Sequence, residues 1–262
     1  MQLVRERADF DQAQRPDTPA VRLEHVSKSF GARQVLDDVS FDVPAGCGFV
    51  ILGRSGSGKS VTLRHIVGLV RPDSGRVFVH GDEVSTLSGV ELSRVRRHIG
   101  FLFQNSALFD SISVGENVAF PLRRHTKLSD GEIRAIALDK LEAVGLGREY
   151  DKMPAALSGG MRKRAGLARA LALDPRLLLV DEPSAGLDPI TADEIDTLLA
   201  DLKGRGRATL VVVTHNIPSA KRLGDWLIML HGGQIVAEGT PGDLARSSHE
   251  LVRAFMNSQN AG

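Results

Sequence analysis

The sequence predicts an α/β fold with a core of parallel strands, an antiparallel β layer beside it and an inserted α-helical subdomain. Three observations carry that expectation. First, Phe49, Val50, Ile51 and Leu52 form an unbroken apolar run before a glycine-rich turn, and Leu63, Ile66, Val67 and Val70 then recur at helical spacing, which reads as strand, turn, helix. Second, the runs 177–181 and 208–214 are continuous and leucine-rich or β-branched, as strands buried on both faces are. Third, between residues 101 and 177 the pattern turns helical, with Ile133, Ile136, Ala137, Leu141 and Val144 on one face.

Size and composition agree. At 262 residues the chain has room for one large α/β domain. Lys plus Arg number 33 against 32 Asp plus Glu, so no net basic field exists to hold nucleic acid by counterion release, and no nucleic-acid partner is expected. Cys47, the single cysteine, lies between Gly46 and Gly48. It cannot form an internal disulfide, suits a reducing compartment and is expected to be a small buried residue. The first twenty residues lack the continuous apolar core of a secretion signal, and no apolar run approaches the roughly 18 residues a membrane span needs. The expectation is a protein soluble by itself that can dock on a membrane protein.

In chain order, residues 1–19 have prolines and charges without periodicity and read as a flexible tail. Val21 and Leu23, then Val39, Phe41 and Val43, alternate with polar residues before Pro44-Ala45-Gly46, the pattern of half-exposed antiparallel strands. A further such strand, 77–79, follows the turn Arg71-Pro72-Asp73-Ser74-Gly75. Ser129-Asp130-Gly131-Glu132 is a capping box, and Gly145 is the stop of the helix it opens. The runs 226–230 and 234–237 flank His231-Gly232-Gly233 as a hairpin, and Thr240-Pro241-Gly242-Asp243 starts a terminal helix. The expected organisation is a tail at 1–19, a main domain at 20–245 with a helical subdomain at about 105–172, and a short C-terminal helix and tail at 246–262.

The chemistry centres on Gly53-Arg54-Ser55-Gly56-Ser57-Gly58-Lys59-Ser60, a glycine, four free positions, then glycine, lysine and serine. The glycines let successive N–H groups turn towards an anion, Lys59 would reach the β- and γ-phosphates, and the Ser60 hydroxyl would take one place on Mg²⁺. The alternative is a glycine-rich turn without a ligand. The run 177–181 ends in Asp181 and Glu182, where ligands of open α/β sheets sit. Asp181 is suited to hold Mg²⁺ through water and Glu182 to accept a proton from attacking water, against the alternative that both cap the turn at Pro183. His215 follows another strand end and could touch the γ-phosphate; the alternative is a structural or exposed histidine. Gln104 ends the apolar run 99–103 and could reach Mg²⁺ or the attacking water. Phe30 could stack on adenine or be a core aromatic. Ser158, before Gly159 and Gly160, is the natural N-cap of a helix whose open N–H groups make a second phosphate site, or else of a capped, basic, solvated helix.

Taken together, Gly53 to Ser60, Gln104, Leu157-Ser158-Gly159-Gly160, Asp181-Glu182, Ser184-Ala185-Gly186-Leu187-Asp188 and His215 resemble the ATPase subunit of ABC transporters in order and spacing, over about residues 20–245. The resemblance implies a P-loop NTPase (RecA-like) core, ATP and Mg²⁺ as ligands, Ser60, Gln104 and Asp181 on the metal, and a head-to-tail homodimer. In that dimer Ser158, Gly159 and Gly160 meet the ATP of the other subunit, Asp188 links the two sites, and Gln104 communicates with an integral membrane permease. A narrower likeness, to the ATPase of Mla-type phospholipid transporters, rests on Gln104-Asn105-Ser106-Ala107-Leu108-Phe109, Glu116 to Arg123, His125-Thr126, Leu157 to Arg164, Asp188-Pro189-Ile190 and Val252 to Met256. It implies phospholipid moved through the permease, an MCE-domain protein and a small cytosolic STAS-type subunit as partners, and a peripheral place on the cytoplasmic face of the inner membrane. Two other functions fit less well. The same motor on a polar-solute importer would differ only in the permease-facing residues, about 107–126. A soluble ABC-type ATPase would be expected to show a long coiled coil, a second ATPase domain or cysteine clusters, and none is present.

Overall fold

The computed structural model describes residues 18–204 and 208–258, so all but the end of the tail expected at 1–19 lies outside the described residues. The chain divides into two compact units, Met1–Arg96 with Thr209–Gly262, and Arg97–Ala208.

In the first unit β1 (Val21–Phe30) and β2 (Arg33–Val43) form an antiparallel hairpin, with β4 (Ser74–Val79) on the other side of β1 and β5 (Asp82–Glu83) at the edge. Alternation dictates the layer. Val21, Leu23, Val26, Leu36, Val39, Val43, Val77 and Val79 are buried, while the polar residues between them face outward, as Arg22 and Asp42 do in a two-bond ion pair at 2.7 Å. β3 (Gly48–Leu52) is buried along its whole length. It runs parallel to β8 (Thr209–Thr214) on one side and β9 (Trp226–His231) on the other, and β10 (Gln234–Gly239) pairs antiparallel with β9. The Phe41 and Phe49 rings stack at 5.2 Å and tie β2 to β3. Cys47, expected to be buried, is only half-buried, because it sits on the turn just before β3.

The helix after the glycine loop is shorter than its periodicity predicts. α1 spans Lys59–Ile66, so Val70 lies beyond it. Gly68 takes φ 68° there, and the Arg96 guanidinium at the end of α2 (Gly89–Arg96) donates to the Val67 and Gly68 carbonyls at 2.9 Å each, filling the acceptors a helix end exposes. Thr240 and Asp243 form a capping box at the start of α8 (Pro241–Ala245), and a separate helix, α9 (Glu250–Asn257), follows within the segment 246–262 where a short C-terminal helix is expected.

In the second unit β6 (Ile99–Leu102) runs parallel to β7 (Leu177–Asp181). Around the pair lie α3 (Val114–His125), α4 (Asp130–Ala143), α5 (Gly159–Ala170) and α6 (Pro189–Gly204). Ser113, Ser129 and Ser158 cap the first three, each accepting from the backbone N–H three residues on. The capping box of Ser129 and Glu132 forms, Ile133, Ala137 and Leu141 are buried, and Gly145 closes the helix end at φ 74°. Among the described residues no helix is long and apolar enough to cross a membrane.

His65, on α1 and 1% exposed, gives its Nδ1 hydrogen to the Val70 carbonyl at 2.7 Å. Its Nε2 is buried without a partner among the described residues. Burial therefore holds the imidazole below its ordinary value near 6.5, Lys28 adds to the effect, and the Val70 carbonyl and Asp73 oppose it. The neutral ring favours the fold, so its contribution is complete above about pH 6.5 and is lost as the pH falls through the lowered value. Urea unfolding should show stability declining as the pH falls below about 6.5, and His65→Gln should flatten that decline; an unchanged slope in the variant would assign it to other groups.

Candidate active site

The glycine loop follows β3 directly and ends at the first residue of α1. Its shape is set by what a side chain would strike. A Cβ on Gly53 would lie 2.5 Å from the Leu230 carbonyl oxygen, and one on Gly58 would lie 2.8 Å from the Val35 carbonyl oxygen. Gly56 and Gly58 also hold φ of 81° and 103°, open to glycine and costly to other residues. Lys59 is buried and folds back, its Nζ donating to the Gly53 carbonyl at 2.8 Å and the Arg54 carbonyl at 3.2 Å. The N-terminus of α1 has no side-chain cap and no acidic residue in its first turn, which leaves its dipole to an anion. The Ser57 hydroxyl is buried with no partner among the described residues. Arg54, Ser55 and Gly56 are exposed and Ser60 is half-buried. These features fit a polyphosphate.

Two more expected residues lie in this unit. Leu52 pairs with Thr214 in the parallel register of β3 and β8, so Gly53 and His215 leave the same carboxyl edge of neighbouring strands. His215 is exposed, and the next residue, Asn216, caps α7 (Ile217–Leu223) by accepting from the Ser219 N–H at 3.0 Å. Phe30 is 50% exposed, with the Lys28 ammonium 5.5 Å from its ring centre, so it is not a core aromatic. Arg33 pairs with Phe30 across the hairpin and donates from Nη2 to the Gly56 carbonyl at 3.3 Å. The sequence reading passed over Arg33; its one signal is a basic residue two positions beyond the Phe30-Gly31 turn.

The remaining expected residues belong to the second unit. Asp181 ends β7 and Glu182 follows, both buried. Glu182 holds φ 47°, and its carbonyl accepts from the Lys163 amine at 2.9 Å and the Ala185 N–H at 3.2 Å. Burial holds the Lys163 amine below the usual lysine range, against the pull of Asp181 and Glu182. Ser158 caps α5 through the Met161 N–H at 3.2 Å. Ser158 and Gly159 are exposed, and a Cβ on Gly159 would meet nothing nearer than Leu187 at 3.7 Å. Gly160 has no such room, because its Cβ would lie 2.3 Å from the Thr191 methyl. Asp188 holds Thr191 in place by accepting from its hydroxyl at 2.6 Å and its N–H at 3.0 Å, bonds that keep the Asp188 carboxyl below the usual range.

Gln104 is exposed and stands two residues past β6, which ends at Leu102 and not at Phe103. After it Ser106 and Ala107 hold φ of 60° and 47°. Arg169, on α5, donates to both carbonyls, at 2.6 and 2.7 Å. The fully buried Asn117 on α3 accepts from the Phe109 N–H at 2.7 Å and donates to the Phe109 and Ser113 carbonyls at 3.0 Å each. Arg169 does not stand out in the sequence, and Asn117 enters there only as part of the stretch Glu116 to Arg123, without its role in holding Phe109.

Gly58→Ala should weaken ATP binding by at least about tenfold, since the new methyl must push the loop off the Val35 carbonyl. Fluorescence titration measures it, and an unchanged Kd would mean that the loop keeps its function in another shape.

Residues 36–185 match the family model described as ABC transporter. Over 243 residues the chain is 44% identical to the probable ribonucleotide transport ATP-binding protein mkl of Mycobacterium leprae, covering 93% of this chain and 70% of that one. It is 40% identical over 237 residues to the intermembrane phospholipid transport system ATP-binding protein MlaF of Escherichia coli K12, covering 90% and 88%. Among solved structures, the ATP-binding cassette MJ0796, in a dimeric post-hydrolysis state bound to ADP and Pi, superposes with a TM-score of 0.79 at 36% identity, over 84% of this chain and 98% of that one. The cbiO1 subunit of the cbiONQ ABC transporter complex from Clostridium perfringens gives 0.79 at 27% identity, over 93% and 96%. With a family match over more than half its length and relatives this similar over nine-tenths of it, the chain belongs to the ABC transporter family as an ATP-binding cassette of P-loop NTPase fold.

Proposed function

We propose that this ATPase energises phospholipid transport across a bacterial envelope, as a head-to-tail pair mounted on the cytoplasmic side of an integral membrane permease. The observation that carries the cargo is the 40% identity over 90% of the chain to a protein named for intermembrane phospholipid transport. The MJ0796 cassette is named as dimeric, which supports the pairing. An MCE-domain protein and a small cytosolic STAS-type subunit complete the proposed assembly.

The residues divide the work. Lys59 exchanges the carbonyls it now holds for the β- and γ-phosphate oxygens, a stronger charge-assisted bond. The α1 N-terminus and the Ser57 hydroxyl add donors. Phe30 offers a ring face to adenine. Ser60, Gln104 and Asp181 are all oxygen donors, the set that suits Mg²⁺, and the ion would neutralise charge on the phosphates. Glu182 takes the proton of the attacking water as its oxygen bonds to the γ-phosphorus and the bond to ADP breaks. His215 steadies the charge on the transferring group. Ser158, Gly159 and Gly160 present open N–H groups to the partner protomer's γ-phosphate, and Asp188, through Thr191 and Gly160, links the two sites.

A second reading, the same motor on a polar-solute importer, draws on the relative named for ribonucleotide transport. The nucleotide chemistry is common to both, so the permease-facing segment must separate them. There Phe109 and Phe120 are 45% and 48% exposed with ring centres 5.0 Å apart, an apolar pair of the kind that marks a docking surface.

Lys59→Ala should lose ATP turnover by at least about a hundredfold, while Glu182→Gln should bind ATP and accumulate a closed dimer in size-exclusion chromatography. Full turnover in either would remove the role given to it. Purified from native membranes, the chain should bring down a permease carrying phospholipid, and Phe109→Ser with Phe120→Ser should reduce that recovery without lowering the melting temperature. A permease carrying nucleotide or another polar solute would establish the second reading instead.

A further inference from the structure

The conformation of Glu182 is held from a different element. Glu182 stands at φ 47°, left-handed for a residue with a side chain, and the residue after it is Pro183, which disfavours the right-handed helical region for Glu182. Such a backbone persists only where its surroundings over-determine it. Two donors do so, because the Glu182 carbonyl takes the Lys163 amine at 2.9 Å and the Ala185 N–H at 3.2 Å. With both lone pairs of that oxygen occupied, the plane of the Glu182–Pro183 peptide is fixed, and with it the direction in which the Glu182 side chain leaves the main chain.

Lys163 itself is the unexpected part. It is 4% exposed, on the buried face of α5 with Ala165, Gly166, Leu167 and Ala168. A lysine is rarely buried to this degree without a partner, because its amine must leave water. A methionine would fill the same space without that cost. What the lysine adds is a donor that crosses from α5 to one carbonyl oxygen, the one beyond β7 that belongs to the residue read as general base.

We propose that Lys163 is a positioning residue for ATP hydrolysis, its amine fixing the Glu182–Pro183 peptide so that the Glu182 carboxylate is aimed at the attacking water. The inference rests on the reading of Glu182 as the base. It also means that the helix opened by Ser158, Gly159 and Gly160 carries the donor that sets that base, so a displacement of α5 on ATP docking would reach Glu182 through a single bond.

The experiment compares the full chain with Lys163→Met and Lys163→Leu, neither of which carries a donor, in the wild-type and Glu182→Gln backgrounds. Steady-state and single-turnover ATP hydrolysis give kcat, and nucleotide titration gives the ATP Kd. A misaimed base costs about tenfold to a hundredfold, so kcat should fall by that factor in both variants while Kd stays within about twofold. In the Glu182→Gln background Lys163→Met should lower the residual single-turnover rate by less than about twofold, because it acts only through Glu182. A wild-type kcat in the Met or the Leu variant, a parallel loss of ATP affinity, or an undiminished effect in the Glu182→Gln background would overturn the proposal. If Glu182→Gln alone turned over at the wild-type rate, the reading of Glu182 would fall first. If it is inactive while both Lys163 variants are fully active, only the role of Lys163 falls.

Discussion

The Lys59 amine, buried and donating to the Gly53 and Arg54 carbonyls, is the interaction on which the shape of the glycine loop depends. A loop of glycines has no side chains with which to hold itself, and it loses more conformational freedom on folding than any other sequence of its length. Here the order is imposed from outside. The Val35 carbonyl on β2 and the Leu230 carbonyl on β9 leave no room for a Cβ at Gly58 and Gly53, and Lys59 ties the start of the loop to the start of α1. Charge-assisted bonds of this kind are worth about 1.5–3 kcal/mol each.

The second unit solves a related problem with cations on α5. Ser106, Ala107 and Glu182 all stand at positive φ without being glycine, a conformation that costs about 1–2 kcal/mol per residue. Each of these carbonyls receives a basic side chain of α5: Arg169 reaches Ser106 and Ala107, and Lys163 reaches Glu182. Gly166 allows the close approach, since a Cβ there would lie 3.1 Å from that of Ser106. One helix, capped by an exposed serine at one end, thus holds the segments after both strands of its unit. Apolar packing places the helix, and the donors place the loops.

Local chemistry made the elements legible. The strands of the antiparallel layer follow from alternation, and the capping boxes at Ser129 and Thr240 form as spacing predicts. What was missed is long-range. Nothing near Lys163 in sequence reveals that its amine ends on a carbonyl 19 residues away, or that Arg169 reaches back 62 and 63 residues. Lys163 sits in a run of four residues with three basic side chains, Arg162, Lys163 and Arg164, and such a run reads as solvated surface until burial separates its members. The helix-end error has a similar cause. Val70 keeps the periodicity of α1 but falls beyond Gly68, whose φ and whose contact with Arg96 depend on a helix more than twenty residues on. Likewise Cys47 was judged by its residue type, while the turn that half-exposes it is a property of position.

The same division explains why cargo is harder to read than chemistry. Every residue given a part in hydrolysis is set by the needs of a triphosphate, which are alike whatever the transporter carries, and relatives at 44% and 40% identity bear names with different cargoes. A cassette meets its cargo only through the permease, so the segment proposed to face the permease is where an imprint is expected. That segment is held firmly. Asn117 holds the main chain of Phe109 from α3, Arg169 holds Ser106 and Ala107 from α5, and Gln104 lies just ahead. The exposed Phe109 and Phe120 rings thus stand on a main chain held by side chains of two helices, Asn117 of α3 and Arg169 of α5.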